Sequence, residues 1–143
     1  MPPFDLPSEL LEMITGKLLG DGNMIHDGNK ATRLRFTHAS KDRGWCLHCY
    51  QQLSKYMKLS PPKYRRVPDP RVKAGYTECY YVQSFTWPKL EQIKRDWYVN
   101  GKKRIPFEYI KHALTPLCLA WWYQDDGHLK KKKDGTVQKI ILS

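Results

Sequence analysis

The sequence predicts an α+β fold in which helices back an antiparallel sheet, and three observations carry that expectation. Residues 14–22 (ITGKLLGDG) and 119–127 (LAWWYQDDG) are variations on one pattern, an apolar helical run that ends in an acidic residue and a glycine. Residues 32–37 (TRLRFT) alternate cleanly, with Leu34 and Phe36 on one side and Arg33, Arg35 and Thr37 on the other. The third observation is charge. The 143 residues hold 25 Lys and Arg against 14 Asp and Glu, a net charge of +11. That balance favours a polyanionic partner, and the length suits one domain with a real core. No run is long and apolar enough to span a bilayer, and the first residues show neither a secretory apolar stretch nor an Arg-rich import pattern.

Taken in order, the first helix has Ser8 as a candidate N-cap and Glu9 and Glu12 near its positive end. Leu10, Met13, Ile14 and Leu18 keep helical spacing, and Gly22 marks a stop. Gly16 and Gly20 lie one turn apart, which permits close approach by a second helix. A hairpin from Met24 to Lys30, with the turn signal Asp27-Gly28-Asn29, leads into the arginine strand. Asp42 to Met57 reads as a helix carrying Trp45, Cys49, Leu53 and Met57 near one face, closed by Pro61-Pro62. Residues 63–67 and 76–85 read as two strands joined by a basic loop with Arg71 and Lys73. Residues 86–88 start a helix to about Tyr98, with Asn100-Gly101 closing it.

A basic step, residues 102–106, is followed by a short helix from Phe107 and a second motif helix from Thr115-Pro116. Lys130 to Lys133 and Asp134-Gly135 suggest one more hairpin, with Val137 to Leu142 as its returning strand. The order is therefore helix, two strands, helix, two strands, helix, short helix, and then a second start of helix and two strands. The acidic tips Asp21 and Asp126 are separated by about 105 residues, roughly one such unit, which reads as an internal pseudo-repeat. Residues 1–113 form the first unit and 114–143 the start of the second.

Acid at the negative end of a helix dipole is disfavoured, so its occurrence at both tips points to a use. If the two helices pack together, Asp21 and Asp126 stand side by side at an exposed end. Paired carboxylates repel unless they share a divalent cation, and phosphodiester hydrolysis is what such a cation would serve. Asp125 reads as a supporting or solvated carboxylate. Cys46 and Cys49 with His48 make half of a zinc knuckle, but no second pair has matching spacing, so reduced cysteines one turn apart are the preferred reading. His26, His38 and His48 have nothing to place them as ligands, and Trp45, Trp87, Trp121 and Trp122 read as core.

The two acidic-tipped helices, residues 59–62 (LSPP), 100–106 (NGKKRIP) and 114–127 resemble the LAGLIDADG homing endonucleases, closest to the branch in which one chain carries both motifs. The likeness runs from about residue 10 to the end. It implies the αββαββα unit of that fold, with an antiparallel β-saddle laid on the major groove of double-stranded DNA, and Mg²⁺ held by Asp21 and Asp126. Lys103 then looks like the basic residue beside the active site. Arg33, Arg35, Lys63, Arg65, Arg66, Arg71 and Lys73 become DNA-binding candidates, with Gln83 and Tyr81 beside them. Trp121 stands where the signature prefers glycine, which implies a wider helix crossing. The second half stops after one hairpin, so a second chain or copy would be needed to complete the saddle. The resemblance also admits a structured-RNA role, as an intron maturase or a ribonucleoprotein component, and a mitochondrial or chloroplast setting.

Overall fold

Helix α1 (Ser8–Leu19) is buried on nearly every side, with Leu10, Leu11, Met13, Ile14, Thr15, Gly16, Lys17 and Leu18 all inaccessible. A helix buried all round has to lie between two layers. The computed structural model describes residues 6–27, 31–126, 128–131 and 137–141, and in it α1 packs against α5 (Pro116–Asp126) and against strand β1 (Gly22–Asp27). With β2 (Ala31–Ala39), β3 (Lys63–Pro68) and β4 (Tyr76–Gln83), β1 forms an antiparallel sheet of order β1-β2-β4-β3. Helices α2 (Arg43–Leu53) and α3 (Lys89–Trp97) cover the back of that sheet. Leu34, Phe36 and Val82 from the sheet meet Cys46, Cys49 and Leu53 from α2, and Leu90, Ile93 and Trp97 from α3, in one core. The α+β architecture expected from the sequence is the one found.

Alternation along β2 works as expected. Thr32, Leu34, Phe36 and His38 are buried, while Arg33, Arg35 and Thr37 are half-exposed on the open side. Pairing of Arg35 with Gln83, Thr37 with Tyr81, and Lys63 with Tyr81 extends that open face across three strands. The turn at residues 28–30 lies outside the described residues, as do 132–136 and Leu142. Further along the chain come α4 (Phe107–Ala113) and a separate hairpin of β7 (His128–Lys131) with β8 (Val137–Ile141).

Several boundaries differ from the sequence reading for local reasons. Pro7 caps α1 without a side-chain hydrogen bond, and Ser8 is already helical. The helix stops at Gly20, two residues before Gly22, and Gly22 opens β1. Helix α2 begins after a 3₁₀ turn (Ser40–Asp42) and ends at Leu53. Thr115 does cap α5: its hydroxyl accepts the Cys118 N–H at 3.3 Å, with Pro116 in the first turn.

Asn100-Gly101 does not terminate a helix. Both residues have positive φ, 52° and 78°, and join the two-residue strands β5 (Tyr98–Val99) and β6 (Lys102–Lys103). That is the turn chemistry of a tight hairpin. Helix and hairpin signals share Asn-Gly, and only the folded context separates them. The hairpin matters because it brings Lys103 and Tyr98 to the end of α1. The Tyr98 hydroxyl accepts the Met24 N–H at 3.0 Å, which ties this hairpin to β1.

The helix crossing is also closer than Trp121 suggested. A Cβ on Gly16 would lie 2.7 Å from Trp121 Cβ and 2.9 Å from the Cys118 carbonyl, and one on Gly20 would lie 2.5 Å from Asp125 Cβ. The glycines of α1 alone supply the clearance, because the Trp121 ring turns aside to pack edge-on against Trp45 at 5.4 Å.

Candidate metal centre and nucleic-acid face

Asp21 sits at the junction of α1 and β1, and its side chain is 41% exposed. Its backbone N–H donates to Asp125 Oδ2 at 3.0 Å, so the first acidic tip is joined to the second motif helix directly. Beside it, Lys103 donates to the Leu18 carbonyl at 3.0 Å and the Gly22 carbonyl at 2.5 Å, the two carbonyls that bracket the Asp21 loop. A cation at the C-terminal end of a helix is electrostatically favoured, and here it counters the acid placed there. The described backbone of α5 runs to Asp126, but the Asp126 side chain lies outside the described residues.

Asp125 has a different character. Its side chain is fully buried, and Oδ1 accepts from Lys17 Nζ at 2.9 Å and from Trp45 Nε1 at 2.8 Å. Lys17 is equally buried, and its Nζ also lies 2.7 Å from His38 Nε2. The rings of Phe36, Trp45 and Trp121 surround the ammonium at 4.4, 5.2 and 5.8 Å from their centroids. Ligand atoms of Asp21, His38 and Asp125 all fall within 4.8 Å of one another, a spacing that could hold a metal ion. Within that cluster, however, Asp125 Oδ1 and His38 Nε2 already face the Lys17 ammonium. Asp21 is the exposed carboxylate of the group and its oxygens suit a hard divalent cation, so the donor set fits such an ion at the exposed rim, with Lys17 filling the buried side.

Burial and the adjacent Lys17 ammonium lower the His38 pKa from 6.5 to about 4, against the opposing pull of Asp125 and Asp42. The unfolded chain therefore takes up a proton between pH 6.5 and 4 that the folded chain refuses. Stability is fully present above pH 6.5 and falls as pH drops through that window. From pH 7 to pH 5 the loss should be about 2 kcal/mol. Urea unfolding at the two pH values measures it, and a His38→Gln variant should show a flatter dependence; equal slopes would remove His38 as the source. The cysteines stay structural. Cys46, Cys49, Cys79 and Cys118 are buried and free, and burial pushes the Cys49 thiol up to about 12.

Sequence reasoning missed Lys17, His38 and Trp45. Two of the three left a trace: Lys17 lies on the buried stripe of α1 three residues after Ile14, and His38 continues the Leu34-Phe36 row of β2. A charged or ionisable residue on an apolar face calls for a partner.

The second part of the site is the open face of the sheet. Arg33, Arg35, Lys63 and Arg65 share it by register, and a concavity of about 130 Å³ opens among Arg35, Lys63, Arg65, Tyr81 and Gln83. Gln83 Oε1 accepts from Arg35 Nε at 3.1 Å and Nη2 at 2.6 Å, which fixes the plane of the guanidinium. Arg65 stacks over Tyr81 at 5.3 Å. Arg66 differs from the expectation that grouped it with these: alternation along β3 puts it on the other face, over the Tyr76 ring at 4.4 Å. Arg71 forms an ion pair with Asp69 at 3.0 Å within the loop between β3 and β4, where Lys73 is exposed.

This arrangement, two close-packed helices with acidic tips above a basic antiparallel sheet, matches a known family. The model of the LAGLIDADG DNA endonuclease family covers residues 11–143. The chain belongs to the LAGLIDADG DNA endonuclease family. Among curated relatives it is 30% identical over 126 residues to the cytochrome b mRNA maturase bI2 of Debaryomyces hansenii, covering 85% of this chain and 47% of that protein. It is 32% identical over 140 residues to the RecA protein of Mycolicibacterium flavescens, covering 96% of this chain and 30% of the other. Among solved structures, the homing endonuclease I-WcaI bound to its DNA recognition sequence superposes with a TM-score of 0.75 at 23% identity, over 90% of this chain and 55% of that one. That likeness supports the fold. The LAGLIDADG chain thus spans about half or less of the length of these relatives. Among its described residues no helix is long and apolar enough to cross a membrane.

Proposed function

We propose that this LAGLIDADG chain is a homing-type DNA endonuclease, or a large part of one, that hydrolyses phosphodiester bonds in double-stranded DNA with Mg²⁺ held by Asp21 and Asp126. The observation that carries the reading is the exposed Asp21 carboxylate at the joined tips of α1 and α5, beside Lys103 and at the margin of an arginine-lined sheet. Mg²⁺ so held would act as a Lewis acid on the scissile phosphate and lower the pKa of a bound water. The protein's own part is to place the carboxylates, through the Asp21 N–H to Asp125 bond, and to exclude misalignment by the tight crossing at Gly16 and Gly20. Lys103 would offset charge on the phosphate or polarise the attacking water.

Arg33, Arg35, Lys63 and Arg65 would meet the DNA across the open face, with Gln83 holding the Arg35 guanidinium in one plane. Arg71 and Lys73 on their loop would reach phosphates, and Arg66 would act from the sheet's margin. Residues 1–113 would serve as the first unit and 114–143 as the start of a second. A second chain, a second copy or a further segment would complete the grip, and exposed Phe107, Leu114 and Leu119 offer apolar surface for it. An organellar setting is in keeping with the maturase relative.

The decisive experiment incubates the purified chain and Mg²⁺ with a randomised duplex library, with structured-RNA binding measured alongside. Cutting at one defined site supports the nuclease. Tight RNA binding with no cutting would instead favour the second reading, a non-catalytic RNA-binding protein, which the similarity to an mRNA maturase motivates. For the DNA face, Arg33→Ala with Arg35→Ala should weaken duplex binding and reduce the slope of log K against log salt by about 1 for each phosphate that is no longer neutralised. An unchanged slope and affinity would take β2 out of the interface.

A further inference from the structure

Lys17 lies in the last turn of α1, where a leucine would satisfy the helix pattern, yet its ammonium is fully buried and bonded on two sides. An ammonium only donates, so His38 Nε2 must accept from it, and the single proton of the neutral imidazole then sits on Nδ1. His38 Nδ1 faces Asp21 Oδ2 at 3.6 Å. On its other side the ammonium holds Asp125 Oδ1, leaving Asp125 Oδ2 to accept the Asp21 backbone N–H at 3.0 Å. One buried cation thus reaches Asp21 along two arms, the main chain through Asp125 and the carboxylate through His38. The arms come from different elements, α5 and β2, so the geometry of Asp21 depends on both motif helices at once.

We propose that Lys17 is a positioning residue of the metal centre: it fixes Asp125 and the His38 tautomer so that Asp21 is held ready for a divalent cation at the rim. This rests on the reading of Asp21 as a metal ligand. It also separates the adjacent acids of the second motif. Asp125 is committed to an internal cation, and Asp126 is left for the external one. Supporting contacts of this kind, here the Asp21 N–H bond to Asp125 and the 3.6 Å approach of His38 to the Asp21 carboxylate, typically tune affinity at a metal site by about ten-fold or more.

The test uses the full chain with Mn²⁺ alone as the probe, followed by water-proton relaxation, and ¹⁵N imidazole spectra of His38. Lys17→Met by itself strands the Asp125 charge and endangers folding, so Lys17→Met with Asp125→Asn is compared beside it as a charge-neutral pair. The wild type should show the Nδ1–H tautomer, and the folded double variant should lose that preference and bind Mn²⁺ at least about five-fold more weakly. An unaltered tautomer and unaltered Mn²⁺ affinity in a folded double variant would overturn the proposal, since a merely structural pair leaves both in place. Asp21→Asn serves as the reference. If that change leaves Mn²⁺ binding intact, the metal-centre reading itself falls; if it removes binding that is indifferent to Lys17, only the positioning role falls.

Discussion

Asp21→Asn should reduce DNA cleavage by at least about a thousand-fold while leaving duplex affinity intact or improved. The substitution keeps the size of the side chain and keeps the backbone N–H that donates to Asp125 Oδ2, so the junction of the two motif helices is preserved. What disappears is one negative charge at an exposed rim, next to which the DNA would lie under the proposed function. On the proposed function, removing it would cost the cation a ligand and relieve repulsion with phosphate at the same time, so activity and affinity should move in opposite directions. Cleavage assays paired with binding measured in Ca²⁺ separate the two. Lost binding would mean that Asp21 supports the fold or the interface, and the catalytic assignment would fall.

Gly16→Leu should destabilise the protein by at least about 3 kcal/mol, lowering the melting temperature by roughly 10 °C. A single Cβ at this position already approaches Trp121 Cβ to 2.7 Å and the Cys118 carbonyl to 2.9 Å, and a backbone carbonyl held in the first turn of α5 cannot retreat without moving the helix. Relief requires the helices to part, and parting them breaks the Lys17–Asp125 pair and the Asp21–Asp125 bond at the acidic end. Stability and any cleavage should therefore fall together, in contrast to Asp21→Asn. Thermal unfolding with a Gly16→Ala companion gives the scale, since alanine should cost less. A Gly16→Leu protein that melts like the wild type would show that the close crossing contributes little.

The sequence by itself determined the elements that depend on local pattern. Period-two alternation around Leu34 and Phe36 is visible without a fold, because a pleated strand puts neighbours on opposite faces whatever lies beyond it. The two acid-glycine tips, Asp21 and Asp126, and the Gly16 and Gly20 spacing were legible for the same reason, and they led to the family. Tertiary structure decided what depends on partners distant in the chain. The face on which Arg66 lies follows from strand register against β4, and Asn100-Gly101 becomes a hairpin because Lys103 has carbonyls at the end of α1 to reach. Most of all it decided Lys17, whose charge looks like an error in an apolar stripe until Asp125, 108 residues away, and His38 close around it. Burying an ammonium is tolerable only when specific groups replace its water, and no local pattern says where those groups will be.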